Sequence, residues 1–529
     1  MTRTITSYLL GAWQPAGDAT ATLVNPSTEE VLAQVGRATD LGKALAYARE
    51  VGGPALRRLS FRERGALLQA MAKAIHERRE ELLDLAMVSG GNTRGDAKFD
   101  VDGATGVLAA YAELAERLGD APWIVVDEPA AVVRTSKVRV QHVALPRHGV
   151  AIHINAFNFP AWGMIGKAAV SILAGMPVLS KPATSTCLLA HRIVEVLVEA
   201  AILPEGAFQL LVGGAGDLLD HVAPQDVIAF TGSATTGAMI RGHRAVVERN
   251  VRVNIEADSL NAAVLGPDVA PGSQLYDLAI RDVVIEMTQK TGQKCTATRR
   301  VLVPEGILDD VREALVDRLG ELAGRTGDTA AKGVKMGPLS TAQQLTDARA
   351  GIARLRERAT IVRGDPAREG FVEAPAGKGF FLEPVLLEAS PADARDPTAP
   401  FHAIEVFGPV ATLLPYDGSI EAAAGILAAG QGSLVSTVYS DDRAFTARAI
   451  AELGPYLGRL VLGDEKNAGG AFSPGCVFPQ GNHGGPGRAG CGAELGGVHG
   501  LELYMQRTAL QGGASQLARL VGAKPESST

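Results

Sequence analysis

From Pro146 onward the chain settles into a regular alternation that leaves few architectures open to it. Apolar, β-branched strand segments at Val150–Ile154, Val178–Ser180, Gln209–Val212, Val227–Phe230 and Arg252–Ile255 are separated by helical patterns from about Trp162 to Ala174, Ser185 to Ala201, near Leu218 and from about Ala234. Strands that read as continuous apolar runs and alternate with helices form parallel sheets covered on both faces. Ligands of such sheets collect beyond the carboxyl ends of the strands. The residues just past those ends are therefore the first candidates for chemistry: Asn158, Lys181, Gly214, Gly232 with Ser233, and Glu256.

A second run of the same kind follows Gly266. It comprises helical patterns at Leu308–Leu322, Thr341–Arg358, Ile420–Ala429 and Ala444–Leu453, with strands at Pro409–Leu414, Val435–Tyr439 and Arg459–Leu462. With 529 residues and 46% hydrophobic content, two α/β units facing each other are expected. The net charge of −7 comes from interspersed acids and bases with no basic block, which argues against nucleic acid or an anionic membrane as partner. No apolar run reaches membrane-spanning length and the first residues lack a long apolar signal core, so the cytoplasm is the expected compartment.

Ahead of the alternation, Ser60 and Glu63 form a capping-box pattern. Leu67, Leu68, Met71 and Ile75 then recur at helical spacing through Leu82 and Leu83, and a second helix is expected from Ala97 to Leu118. Val132–Val143 alternates apolar and polar residues, as an exposed hairpin does, and its edge is available to another subunit.

Cys187, Cys295, Cys476 and Cys491 are scattered, with no C-x-x-C pair and no neighbouring histidine cluster, so neither a disulfide framework nor a metal site is expected. Cys295 differs from the others in context. The stretch Gly292-Gln293-Lys294-Cys295-Thr296 lies between a helical pattern at Asp277–Lys290 and the strand Val301–Val303. A thiol on such a turn, with free backbone N–H groups nearby, suits nucleophilic attack on a carbonyl, although a lone cysteine is more often core filler. Lys181 taken alone reads as a solvated lysine, and Gly214-Ala215-Gly216 lacks the third glycine of a dinucleotide fingerprint. Thr231-Gly232-Ser233 follows a buried strand and opens a helix, an arrangement that offers N–H groups to a phosphate. Glu256 ends an apolar strand, where a carboxylate needs a partner or a task.

Taken in order, Phe157-Asn158-Phe159-Pro160, Lys181-Pro182-Ala183, Phe230-Thr231-Gly232-Ser233, Ile255-Glu256-Ala257, Gly292-Gln293-Lys294-Cys295 and Glu405-Val406-Phe407-Gly408-Pro409 resemble the motifs of the NAD(P)-dependent aldehyde dehydrogenases over nearly the whole chain. The resemblance implies a Rossmann-type cofactor domain (residues 1–126 and 147–263), an α/β catalytic domain (264–480), a small β bridging and oligomerisation element (127–146 and 498–515) and a glycine-rich active-site loop (481–497). It implies Cys295 as nucleophile, Asn158 as oxyanion donor, Glu256 as general base, and Lys167 with Glu494 as a proton relay.

For the cofactor it implies Lys181 at the adenosine ribose and Ser233 at the pyrophosphate, with Ala183, Thr184, Gly214, Phe230, Thr231 and Gly232 also among the binding residues. Glu405 falls at the nicotinamide ribose and Phe407 at the nicotinamide side, with Ile154, Phe157 and Ala257 also among the binding residues.

Two departures stand out. Thr184 replaces a glutamate that repels a 2′-phosphate, so NADP is expected, with NAD as the weaker alternative. Asp258 and Ser259 replace two glycines, which puts the pose of the nicotinamide in question.

The nine glycines of 481–500, interleaved with His483, Arg488, Glu494 and His499, read as a shaped loop rather than a linker. That loop and the tail after it are most similar to the semialdehyde dehydrogenases that act on CoA thioesters in aerobic aromatic degradation. Because the chain stops at Thr529, without room for an added hydratase domain, the standalone form from benzoate oxidation is expected ahead of the phenylacetate-pathway form. A general aldehyde dehydrogenase and an acylating one are the remaining alternatives. A homodimer, possibly pairing into a dimer of dimers, is expected, with Val132–Val143 and the tail after Gly500 meeting across the subunit boundary.

Overall fold

The computed structural model describes residues 3–134, 137–470 and 472–521; Thr135 and Ser136 of the expected hairpin, and the terminal Thr529, lie outside them. The alternation after Pro146 forms one sheet. Its parallel strands run in the order Arg252–Glu256, Val227–Thr231, Ala151–Ile154, Val178–Lys181 and Phe208–Leu210, and two short antiparallel strands, Tyr8–Leu9 and Ala12–Trp13, close one edge. Register aligns the carboxyl ends: Ile154 sits opposite Lys181, and Thr231 opposite Glu256. The central strands are buried on both faces, which is why they lack polar alternation.

The second sheet is ordered Ala359–Arg363, Val385–Ala389, Val410–Tyr416, Arg300–Pro304, Ala262–Leu265, Ser433–Tyr439 and Leu457–Gly463, parallel except at its first pair. Because Ala262–Leu265 belongs here, the crossing between sheets falls at residues 257–261, and a boundary at 263/264 would cut a strand.

The helices on the first sheet start where capping chemistry placed them. Ser60 accepts from the Glu63 N–H while the Glu63 carboxylate accepts from the Ser60 N–H, at the head of Phe61–Glu77. An equivalent box of Thr93 and Asp96 opens Arg94–Leu118. The single helix expected through Leu83 is instead two, Phe61–Glu77 and Arg79–Gly90, broken at Arg78. The break lets Leu82, Leu83 and Ala86 turn into the same core as Leu68, Met71 and Ile75.

A third sheet pairs Val138–Pro146 antiparallel with Met505–Gly513 along nine residues, with Ile124–Val125 and Ala130–Ala131 on the other side. These two stretches, expected at a subunit boundary, are hydrogen-bonded to each other within one chain. The Arg147 N–H donates to the Tyr504 carbonyl (3.2 Å), and the Arg147 guanidinium reaches Gln506 (3.1 Å), closing the ladder at its base. Among the described residues no helix is long and apolar enough to cross a membrane.

Candidate active site

Cys295 sits on a turn that the backbone does not adopt freely. The helix Gln274–Thr288 ends two residues earlier than its apolar pattern predicts, and Lys290, Thr291 and Gly292 follow with φ of +53°, +56° and +67°. Left-handed conformations at non-glycine residues cost about 1–2 kcal/mol each and persist only where neighbours over-determine them. Here they do. The Lys290 N–H donates to Asp96 (2.9 Å), the Thr291 hydroxyl to the Gly337 carbonyl (3.0 Å), and Gln293 Oε1 accepts from the Ser340 N–H (3.0 Å). A Cβ on Gly292 would lie 2.2 Å from the Gly408 carbonyl oxygen, so only glycine lets these backbones meet.

Two buried side chains that no motif had singled out hold the turn from beneath. Asn261 donates to the carbonyls of Cys295 and Ala297 (both 2.8 Å), and Arg299 to those of Gly408 (2.7 Å), Gly292 (2.9 Å) and Lys294 (3.3 Å). Lys294, fully buried, pairs with Glu286 at 2.7 Å. Removing one partner of a buried pair leaves an uncompensated charge, a loss of about 3–5 kcal/mol. Lys294→Met is therefore expected to lower the thermal midpoint by several degrees and to reduce activity with it. A midpoint unchanged in a calorimetric scan would count against this role.

Cys295 is half-buried and faces a cleft of about 830 Å³, open to solvent. The cleft is walled by Phe99, Phe159, Trp162, Val170, Val477 and Leu503, and also lined by Asn158, Lys167, Glu256, His483 and Glu494. The helix Trp162–Ala174, which follows Asn158 and carries Lys167, has no cap of its own. Asp100 from the neighbouring helix supplies one by accepting the N–H groups of Trp162 (2.8 Å) and Ala161 (3.4 Å).

The polar groups form one connected path. His483 Nε2 lies 3.8 Å from Cys295 Sγ and 3.0 Å from Glu256 Oε1. The Thr231 hydroxyl donates to Glu256 Oε2 (3.4 Å) and accepts from Lys167 Nζ (2.7 Å). Lys167 Nζ lies 3.2 Å from Glu494 Oε2, and Glu494 Oε1 accepts from Asn254 (3.0 Å). Burial pushes the Cys295 thiol well above its usual range, and the Glu256 carboxylate adds to that shift. Burial also works to raise Glu256, but the facing His483, then Lys167 and Cys295, outweigh it and hold the carboxyl below its usual range. Donor atoms of Glu256, Cys295 and His483 all lie within 4.8 Å of one another.

The glycine-rich segment is the loop that delivers His483 and Glu494. Asn482–His483 pairs antiparallel with Glu494–Leu495, with His483 directly opposite Glu494. Close approach explains the glycines: a Cβ on Gly490 or Gly492 would lie 2.4 or 2.2 Å from the Ile255 carbonyl oxygen, so the loop packs against the strand that ends in Glu256. Arg488 ties it to the Ala403 carbonyl (2.8 Å). His499 faces away, beside Glu502 (3.1 Å) and exposed.

The expected cofactor residues gather at the strand ends. Lys181 Nζ donates to the Pro182 carbonyl (3.2 Å) and, among the described residues, has no carboxylate within ion-pair distance. Ala183 and Thr184 are half-buried beside it, and a Cβ on Gly214 would meet nothing within 4 Å, so a ligand has room over that loop. Phe157 and Phe407 meet edge to face with ring centres 5.7 Å apart. Ile154 is half-buried, Phe230 and Ala257 are buried, and Gly232 donates its N–H to the Glu256 carbonyl (3.1 Å). Burial raises Glu405 to about 7, against the pull of Arg299, and its Oε2 accepts from the Ser259 N–H (3.0 Å).

The Ser233 hydroxyl is engaged as the cap of Ala234–Arg241, accepting from the Thr236 N–H (3.3 Å), and Asp258 takes the Ala234 N–H (3.0 Å). Asp258 and Ser259 have partners within the protein: Asp258 at that helix end, Ser259 Oγ at Asn261 (2.6 Å) and the Leu434 N–H (2.8 Å).

A parallel dinucleotide-type sheet facing a second α/β unit, with a thiol and a carboxylate sharing the cleft, is the arrangement of a dehydrogenase. The aldehyde dehydrogenase family profile matches residues 13–510, and the chain belongs to that family. It is 44% identical over 486 residues to the 3,4-dehydroadipyl-CoA semialdehyde dehydrogenase of Aromatoleum evansii, covering 91% of this chain and 93% of the relative. It is 28% identical over 500 residues to the lactaldehyde dehydrogenase of Escherichia coli K12, covering 93% and 94%. Among solved structures, a Staphylococcus aureus betaine aldehyde dehydrogenase in complex with NAD+ superposes with a TM-score of 0.82 at 24% identity over 96% of this chain and 97% of that one, a likeness of fold.

Proposed function

We propose that this aldehyde dehydrogenase oxidises a CoA-linked semialdehyde of the 3,4-dehydroadipyl-CoA kind to its carboxylic acid with NADP, in aerobic benzoate breakdown, as a cytoplasmic homodimer. The observation that carries the reading is the shared cleft of Cys295, Asn158 and Glu256, read beside the 44% identity to the Aromatoleum relative.

Cys295 Sγ attacks the aldehyde carbon, and the oxyanion that forms accepts from the Asn158 amide and the Cys295 N–H. A bound nicotinamide cofactor supplies the hydride acceptor that turns this adduct into a thioester. Lys181 holds its adenosine ribose and Glu405 its other ribose, and the free ammonium of Lys181 beside the uncharged Thr184 suits a 2′-phosphate. Ser233 and the N–H groups at the start of Ala234–Arg241 would hold its pyrophosphate. Glu256 then takes a proton from water as its oxygen attacks the thioester, which frees the acid and restores the thiolate. The proton leaves by Thr231, Lys167 and Glu494. The buried Glu256 favours hydrolysis over transfer of the acyl group to CoA.

The aromatic and aliphatic walls suit the chain of the aldehyde, with the CoA moiety at the cleft mouth. Mass spectrometry of products from a panel of CoA-linked semialdehydes tests this. Free acid is expected as product, with kcat/KM above that for acetaldehyde and initial rates with NADP above those with NAD at equal concentration. Acyl-CoA as product, a preference for acetaldehyde, or NAD rates equal to NADP rates would each overturn the corresponding part.

A further inference from the structure

The thiol in this cleft faces an electrostatic obstacle. Attack requires a thiolate, yet the nearest carboxylate, Glu256, is anionic, buried, and raises the cost of a second negative charge beside it. Both groups touch one atom, His483 Nε2, at 3.8 Å from Cys295 Sγ and 3.0 Å from Glu256 Oε1. A proton on that nitrogen turns two adjacent anions into an anion–cation–anion row. Imidazole is the side chain that gains and loses a proton most readily near neutrality.

The position of His483 is built rather than incidental. It is half-buried in the two-residue ladder with Glu494, and the ladder is clamped by glycine contacts against the strand that carries Glu256. The charged and titratable groups that face the ring are Cys295 and Glu256 across the cleft, with Glu494 opposite in the ladder. One short ladder thus supplies both ends of the proton path, His483 at the sulfur and Glu494 at Lys167.

We propose that His483 is a further catalytic residue of this enzyme, the base that takes the Cys295 proton. In the neutral ring the proton sits on Nδ1, so the Nε2 lone pair accepts the thiol proton, and the sulfur lone pair so released forms the bond to the aldehyde carbon. The imidazolium Nε2–H then lies between the sulfur and Glu256. The imidazolium holds that proton until hydrolysis expels the sulfur as thiolate, then returns it to Sγ, while the proton that Glu256 takes from water leaves along Thr231, Lys167 and Glu494. Glu256 is left to act on water alone. The inference rests on Cys295 being the nucleophile and is independent of which aldehyde is oxidised.

Alkylation of Cys295 by iodoacetamide, followed by mass spectrometry from pH 6 to 10, reads thiolate formation without substrate. His483→Gln keeps an amide near Nε2 but accepts no proton. It is expected to slow alkylation at neutral pH by roughly 10²-fold, to approach the wild-type rate at the alkaline end, and to slow NADPH formation by a similar factor. His483→Ala with added imidazole is expected to regain a large part of the alkylation rate, which also decides the matter should the glutamine variant fold poorly. Wild-type alkylation rates and pH profile in His483→Gln, or no imidazole rescue of a folded His483→Ala, would overturn the inference. A wild-type enzyme in which Cys295 is not alkylated at all would instead remove the nucleophile assignment beneath it.

Discussion

Cys295→Ala is expected to leave aldehyde oxidation at or below about 10⁻⁴ of the wild-type rate, because the covalent intermediate has no other atom to form on. The thiol is half-buried at the edge of a solvent-open cleft, and the turn beneath it is held by Asn261 and Arg299 through the backbone. Fold and cofactor affinity should therefore survive, as read by melting and by quenching of protein fluorescence. Cys491 is exposed on the glycine-rich loop and outside the cleft lining, so Cys491→Ala should keep nearly full activity. Equal loss in both variants would mean that the effect is one of stability and that the nucleophile lies elsewhere.

Glu256→Gln is the second large effect. The amide is of the same size and still packs against Thr231 and His483, but it accepts no proton from water. Turnover should fall by about 10²–10⁴-fold. Since the thiol proton is assigned to His483, acylation continues and the thioester accumulates. Intact mass of the quenched enzyme should show Cys295 carrying the acyl group, alongside one equivalent of reduced cofactor released early. An enzyme that stays unmodified in the presence of aldehyde and cofactor would assign Glu256 to the acylation half instead. Glu256 owes its charge to its neighbours: burial alone would favour the neutral acid, and the facing His483 and Lys167 reverse that.

Much of this was legible in the chain before folding. The apolar strands between Val150 and Ile255 had to be buried on both faces, because they carry no polar alternation, and the first sheet follows from that. Ser60 with Glu63 announced a helix start through hydrogen bonds that involve neighbours three residues apart. Cys295, Glu256 and Asn158 were identifiable because each follows a strand or turn within a motif of a few residues. What was missed has no local signal. Asn261 and Arg299 read as ordinary polar residues, and only the fold brings their donors to the carbonyls around Cys295. Asp100 caps a helix that starts 62 residues away. Neither sequence pattern nor capping rule marked Arg78 as a break, since the helix divides there only to bring Leu82 and Leu83 into the shared core.

The pairing of Val138–Pro146 with Met505–Gly513 shows the same division. Alternation identified an exposed strand, and the fold pairs it with Met505–Gly513 of the same chain. Local hydrogen bonds and the period of apolar residues thus determined the elements and the candidate thiol and carboxylate, since those depend on neighbours within a few positions. Tertiary structure alone decided that a glycine-rich loop, 188 residues beyond Cys295, returns to set an imidazole 3.8 Å from its sulfur. Such a contact is made through space between backbones that only glycine lets come so near, and nothing in the order of residues encodes a distance of that kind.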